Sequence, residues 1–287
     1  MTVASAERVV AAARLVREGR IYSLARERFR GMPLFPGHPQ FEVLSFRTPH
    51  GLRVGKEEPW GPGNEAGLGY MSEIVVGSTH TGAHIDAHAH MTIGEDDHWF
   101  GGSARTDLGD FGPLTGDASE LPPIWTRGLL YDVPGHRDVA FLGRGEPVTA
   151  AELEEIGRAQ GIDEPGPGDV VLVRTGYMSH WPDEARMAAH RGPGPDLSAA
   201  LWLADHGILA TGSDTETYEV QPAPDPGEPA NPQPVHTALL IERGIFLFES
   251  LDLEALARER AYEFLFVALP LKIRGATGSM VDPIAVV

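Results

Sequence analysis

The segment HTGAHIDAHAH, from His80 to His90, carries five potential ligand side chains in eleven residues, separated by glycine and small apolar spacers. A core histidine is ordinarily isolated and satisfied by one hydrogen bond, so this density points to a shared task. From His84 onward the polar residues alternate with Ile85, Ala87 and Ala89. In an extended segment His84, Asp86, His88 and His90 would therefore project to one face. His80 comes four residues earlier, across a glycine that lets the chain turn, and can approach the same point from another direction. Neutral imidazoles with one carboxylate suit Zn²⁺ or Mn²⁺. Such an ion lowers the pKa of a bound water toward about 7 and polarises a carbonyl. Amide or ester hydrolysis follows, and it also needs a non-ligating group to move the proton, for which either His88 or His90 serves on spacing alone.

The surrounding pattern is α/β. Ser5 is placed to cap a helix with Val9, Ala13 and Val16 on its apolar face and Gly19 as its stop. Short strands are expected at Phe41 to Phe46 and at Glu73 to Val76, the second feeding the histidine cluster. Gly94 to Pro123 lacks periodicity and reads as a long functional loop. Thr149 to Glu152 form a capping box for a helix ended by Gly161, and DVVLVR (Asp169 to Arg174) is a buried strand. Helix-then-strand recurs at Ser198 to Asp205 with ILATGS, and at His236 to Arg243 with IFLFES. A further strand is EFLFVAL (Glu263 to Leu269), and KIRGATGSM is extended with a glycine turn. The proline-rich VQPAPDPGEPANPQP suits neither helix nor ladder and reads as an active-site border.

The 287-residue chain has 41 acidic against 23 basic residues, a formal net charge of -18, which disfavours nucleic acid or an anionic membrane as partner. With no cysteine, disulfides and thiolate chemistry are excluded, and a transition metal must rely on histidine and carboxylates. Charged residues interrupt every apolar run of MTVASAERVVAAARLVREGR, so neither a signal peptide nor a membrane span is expected there, and a cytoplasmic enzyme is the expectation.

The His80 to His90 stretch resembles the signature His-x-Gly-Thr-His-x-Asp-x-Pro-x-His of the metal-dependent cyclase superfamily, which includes bacterial kynurenine formamidase, isatin hydrolase and some lactone hydrolases. It departs at Ala83, where the pattern has threonine, and at His88, where it has proline. The resemblance implies that His80, His84 and Asp86 are metal ligands and His90 the catalytic acid/base. Downstream, VHTALLIERGIFLFESLDLEAL resembles the second signature, with His236 and Glu249 at its two key positions. In binuclear relatives that pair holds a second ion with the aspartate as bridge, so one or two divalent ions per chain are implied. The implied fold is a single mixed α/β domain with a β-barrel-like core flanked by helices over residues 21–287, after an N-terminal helical extension of residues 1–20. A homodimer with its site near the subunit contact is likewise implied.

Trp99 and Phe100, just beyond the cluster, and His88 are candidate contacts to a small-molecule substrate. Asp214 is expected to hold loop amides, and His98, among acids, to be merely solvated. The glycines near Gly275 lack the lysine of a phosphate loop. The expected activity is hydrolysis of an amide, lactam, N-formyl or lactone bond in a small aromatic or cyclic substrate by metal-bound hydroxide. The competing readings are a metal-dependent cyclase or lyase on a polyketide-like substrate, and a non-catalytic metal-binding protein.

Overall fold

A computed structural model describes residues 5–287. The three buried strands Val170–Arg174, Ala210–Ser213 and Phe246–Glu249 lie side by side and parallel, as the repeated helix-then-strand order requires. With Ile124–Asp132, which also pairs parallel to Val170–Arg174, they form the centre of a nine-stranded sheet. Antiparallel strands extend it: Glu263–Ala268, Ile284–Val286 and Ile21–Ser23 on one side, His84–Asp86 and Gly278–Met280 on the other. The sheet curls into a half-barrel within a single mixed α/β domain.

Each central strand is buried on both faces, so its side chains divide between two cores. Val170, Leu172, Phe246 and Phe248 pack with Ile85, Phe264 and Phe266 on one side. Val171, Val173 and Leu247 pack on the other side against Leu153, Ile156, Leu203 and Leu239, which come from the covering helices. Those helices include Ala150–Gln160 and Leu197–Asp205. The first is capped by Thr149, whose hydroxyl accepts from the Glu152 amide, but the reciprocal half of the expected capping box is missing. The Glu152 carboxylate instead makes a two-pronged ion pair with Arg137 (2.6 and 2.8 Å), a stronger partner than a backbone amide.

Several sequence expectations are corrected. The N-terminal helix runs Ala6–Ala13 and closes at Arg14, short of Gly19, whose amide instead donates to the Val287 carbonyl. The expected third helix is a short turn, Pro234–His236, continued by a π-helical turn, Thr237–Glu242. The strands Glu42–Arg47 and Ser72–Val76 pair only with each other, as a ribbon separate from the main sheet. Val43, Leu44 and Phe46 on one strand and Ile74, Val75 and Val76 on the other are exposed.

Asp214 follows Ala210–Ser213 and braces the loop after Val170–Arg174. One carboxylate oxygen accepts from both the amide and the hydroxyl of Thr175, each at 2.8 Å, and the other has no partner. Burial outweighs these bonds and pushes the carboxyl up to about 6. Because the folded state holds this proton more tightly than the unfolded chain, the carboxyl costs nothing below its ordinary value near 4. It becomes destabilising as pH rises towards 6 and stays so above. Asp214→Asn should therefore be more stable than the parent above pH 6, by on the order of 2–3 kcal/mol, with the difference vanishing near pH 4 in denaturant unfolding.

Candidate metal centre

Strand register joins the two polar motifs. In the antiparallel pairing of Phe246–Glu249 with His84–Asp86, Glu249 lies directly across from His84. On its other edge Asp86 faces Gly278. His80 is carried round by a tight turn in which Gly82 adopts φ 63°, a conformation glycine takes without penalty. His236 arrives on the helical turn after the proline-rich loop.

Two groups of converging ligand atoms result, His80–His84–Asp86 and Asp86–His236–Glu249, with Asp86 common to both. One oxygen of Asp86 lies 2.9 Å from His80 Nδ1 and 3.6 Å from His84 Nε2. Its other oxygen lies 3.9 Å from His236 Nε2. Glu249 spans the pair, 3.3 Å from His84 Nε2 and 3.3 Å from His236 Nε2. Ligands of a tetrahedral ion at about 2.1 Å stand about 3.4 Å apart, so these spacings fit a divalent cation. Asp86 is fully buried, and neither of its oxygens has a hydrogen-bond partner. An unpaired buried carboxylate is costly, and a bound cation is the partner that this donor set fits.

The remaining ring nitrogens are held from behind. His84 donates Nδ1–H to the Gly82 carbonyl at 2.7 Å, so its Nε2 points into the cluster. His236 donates Nδ1–H to Glu219 at 2.5 Å, and the same buried carboxylate accepts from the Val235 and His236 amides at 3.0 Å each. Such outer carboxylates fix the tautomer and orientation of a ligating imidazole. His80 is 3.2 Å through Nε2 from the Thr277 hydroxyl, which leaves Nδ1 for the cluster.

Charge coupling among these groups is strong. Burial opposes ionisation of Asp86, but His90, His80 and His84 outweigh it and hold the carboxyl well below its ordinary range. Burial opposes a charged His236, yet Glu219 and Glu249 raise it to about 10. His90 belongs to neither ligand group. It stacks on His80 with ring centroids 4.1 Å apart, and its Nε2 is 4.0 Å from Asp86. Burial is the main reason its value falls to about 4, leaving the imidazole neutral at neutral pH.

The uninterrupted alternation expected from His84 to His90 is corrected. The strand stops at Asp86, because the Ala87 amide turns to the Thr277 carbonyl and the Ala89 amide to the Gly116 carbonyl, and His88–His90 coil into a 3₁₀ turn. That turn brings His90 back to the cluster and sends His88 away. His88 stacks on Phe246 (4.5 Å) and donates Nε2–H to the Gly244 carbonyl (3.0 Å), so it packs against the body and does not line the cavity beside the ligands. Trp99 and Phe100 are corrected likewise. Trp99 is buried under Gly116, and Phe100 packs on Gly244 and His88, since their loop folds its aromatics back onto the body. His98 pairs with the exposed Asp96 at 2.8 Å, away from the ligands.

A cavity of about 150 Å³ opens beside the ligands, lined by His80, His84, His90, His236 and Glu249 together with Phe35, His38, Glu216, Thr217 and Gln233. Sequence reasoning had not singled out these last five, nor Glu219. Phe35 and His38 sit in MPLFPGHP, and Gln233 ends the proline-rich run, where an active-site border was expected.

The Cyclase family model, described as "Putative cyclase", matches residues 22–220. The chain belongs to the cyclase family. It is similar over 99% of its length to 94% of a crystal structure described as a novel cyclase, at 26% identity and a TM-score of 0.85. An isatin hydrolase bound to the product analogue thioisatinate matches at 22% identity and TM-score 0.67, over 100% of this chain and 99% of that one. A predicted metal-dependent hydrolase from Bacillus stearothermophilus matches at 19% and 0.54, over 94% and 98%. No curated protein matches the chain.

For this family member the close approach of Gly278 to His80 offers a direct test of the geometry. A Cβ at Gly278 would lie 2.4 Å from His80 Cε1 and 2.8 Å from its Nδ1. Gly278→Ala should displace His80, lowering divalent-metal affinity by roughly 10–100-fold in a calorimetric titration while the circular dichroism spectrum stays parental.

Proposed function

We propose that the chain is a metal-dependent hydrolase opening a C–N bond (amide, lactam or N-formyl) or a lactone C–O bond in a small cyclic or aromatic substrate. The observation that carries this reading is Asp86, a buried carboxylate without hydrogen-bond partners at the meeting point of three imidazoles and Glu249. His80, His84 and Asp86 would hold a Zn²⁺ or Mn²⁺ ion, and Asp86, His236 and Glu249 a second. When bound, such an ion acidifies water and polarises a carbonyl.

The chain's own residues supply the rest. Glu219, the Gly82 carbonyl and Thr277 aim the imidazoles, so the donor set is in place before substrate arrives. His90 lines the cavity outside both ligand groups, suited to take a proton from the attacking water and return it at Nε2 to the leaving nitrogen or oxygen. A purely structural site would need no cavity beside the ligands. At about 150 Å³ the chamber falls below the ~300–1,000 Å³ typical of larger ligand sites, which favours a compact substrate over a polyketide. The shared fold with an isatin hydrolase supports a cyclic amide as the first substrate to try.

We also propose a homodimer, formed by a second copy covering the exposed apolar ribbon. Its two strands carry Val43, Leu44, Phe46, Ile74, Val75 and Val76 at the surface, a cluster of exposed apolar side chains that a partner surface would cover. Light scattering should give twice the chain mass, falling to one chain for Phe46→Glu/Val75→Glu.

With isatin, N-formylkynurenine and an unsaturated lactone as trial substrates, chelation should abolish turnover and restored Zn²⁺ or Mn²⁺ should recover it. His90→Ala should keep the metal and lose about 10²–10⁴-fold in kcat. Activity that survives chelation, or a parental rate in His90→Ala, would contradict the reading.

A further inference from the structure

Beside His80 and His84 lies a second recess of only about 20 Å³, room for little more than one water, whose walls include Met32, Leu34, Phe35, Met178, Trp181 and Met187. Glu216 lines both the recess and the chamber beside the ligands. It is an acid without a role in either ligand group. Its side chain is only 8% exposed, and Arg191 holds it from one side. The pairing is uneven: Arg191 Nε is 2.6 Å from Oε2, whereas Arg191 Nη2 is 3.4 Å from Oε1. A carboxylate accepts about four hydrogen bonds, so this one keeps acceptor capacity and has no donor to offer.

We infer that Glu216 is a specificity residue that accepts a hydrogen bond from an N–H adjoining the scissile carbonyl, and so selects amides and lactams over lactones and esters. The inference rests on the hydrolase reading above and deepens it by choosing between the two bond types left open there. The physical reason is an asymmetry of donors and acceptors. With its carbonyl at the ligands and its body in the chamber of about 150 Å³ that Glu216 also lines, a compact substrate brings the atom bonded to that carbonyl towards the Glu216 carboxylate. An N–H there donates to the carboxylate, and such a charge-assisted bond inside a closed site is strong. A lactone or ester oxygen in the same place sets acceptor against acceptor, leaves the carboxylate without its partner and is rejected. The Arg191 contact fixes the direction of the carboxylate.

The test uses the metal-loaded protein and two readouts. Calorimetry compares the affinity of oxindole with that of 2-coumaranone, the same bicycle with ring oxygen in place of N–H. Kinetics compares kcat/KM for isatin and N-methylisatin. The parent should favour the N–H member of each pair by roughly tenfold or more. Glu216→Leu, similar in size and without an acceptor, should bring the calorimetric ratio to within about threefold, and Glu216→Gln, which keeps a neutral acceptor and the space-filling shape, should fall between. Equal ratios in parent and Glu216→Leu, a parent that prefers 2-coumaranone, or no binding of either compound would overturn the assignment. If metal is bound but no carbonyl compound is turned over, the hydrolase reading fails by itself, and the oxindole to 2-coumaranone ratio still decides the role of Glu216.

Discussion

The structure is organised around one unfavourable feature, the burial of the Asp86 carboxylate with no hydrogen-bond donor on either oxygen. A charge in that position is tolerated only when an opposite charge comes with it. Everything nearby is arranged to supply ligands to that point and not hydrogen bonds. His80 comes within 2.9 Å of Asp86 by its Nδ1 without forming a hydrogen bond, and its other nitrogen is occupied by Thr277. His84 and His236 each spend Nδ1–H on a partner behind them, which leaves the Nε2 lone pairs directed inward. A set of acceptors facing one another is unstable alone and is what a divalent cation brings together.

The half-barrel makes this convergence durable. Glu249 and His84 are far apart in sequence, but adjacent strands fix them in register, and a one-residue slip would turn Glu249 and its neighbours to the opposite face. Such slips are prevented by the fully buried Phe246 and Phe248 on the same strand, which sit in the core with Phe264 and Phe266. Removal of one such ring would cost about 3–5 kcal/mol, so the cores that hold the sheet also hold the ligand geometry. The more irregular parts, the proline-rich run and the MPLFPGHP segment, border the cavity through Gln233, Phe35 and His38, where loops adapt more readily than strands.

What the sequence made legible follows from what is local. The density of histidines between His80 and His90, the buried run DVVLVR and the repeated helix-then-strand order are all properties of neighbouring residues, and they led to the α/β sheet and to the two polar motifs. Tertiary hydrogen bonding was not legible. The Thr277 and Gly116 carbonyls capture the Ala87 and Ala89 amides and end the strand, so an alternation that looked continuous sends His88 into packing against Phe246. For Trp99 and Phe100 nearness along the chain does not mean nearness in space, because the glycines at 116 and 244 provide seats for them elsewhere. Glu219 and Glu216 give no signal because the two acids of TETYEV look like any solvated ones; only the folded chain shows one bonded to His236 and the other facing the cavity.

The central claim is that Asp86 joins two ligand groups around divalent metal. The most direct measurement is metal content per chain by elemental analysis after dialysis, for the parent and for Asp86→Asn, with folding verified by circular dichroism. One or two equivalents of Zn or Mn in the parent, and almost none in a folded Asp86→Asn, is the result this account predicts. A parent that binds no divalent metal, or an Asp86→Asn variant that retains the full complement, would contradict it.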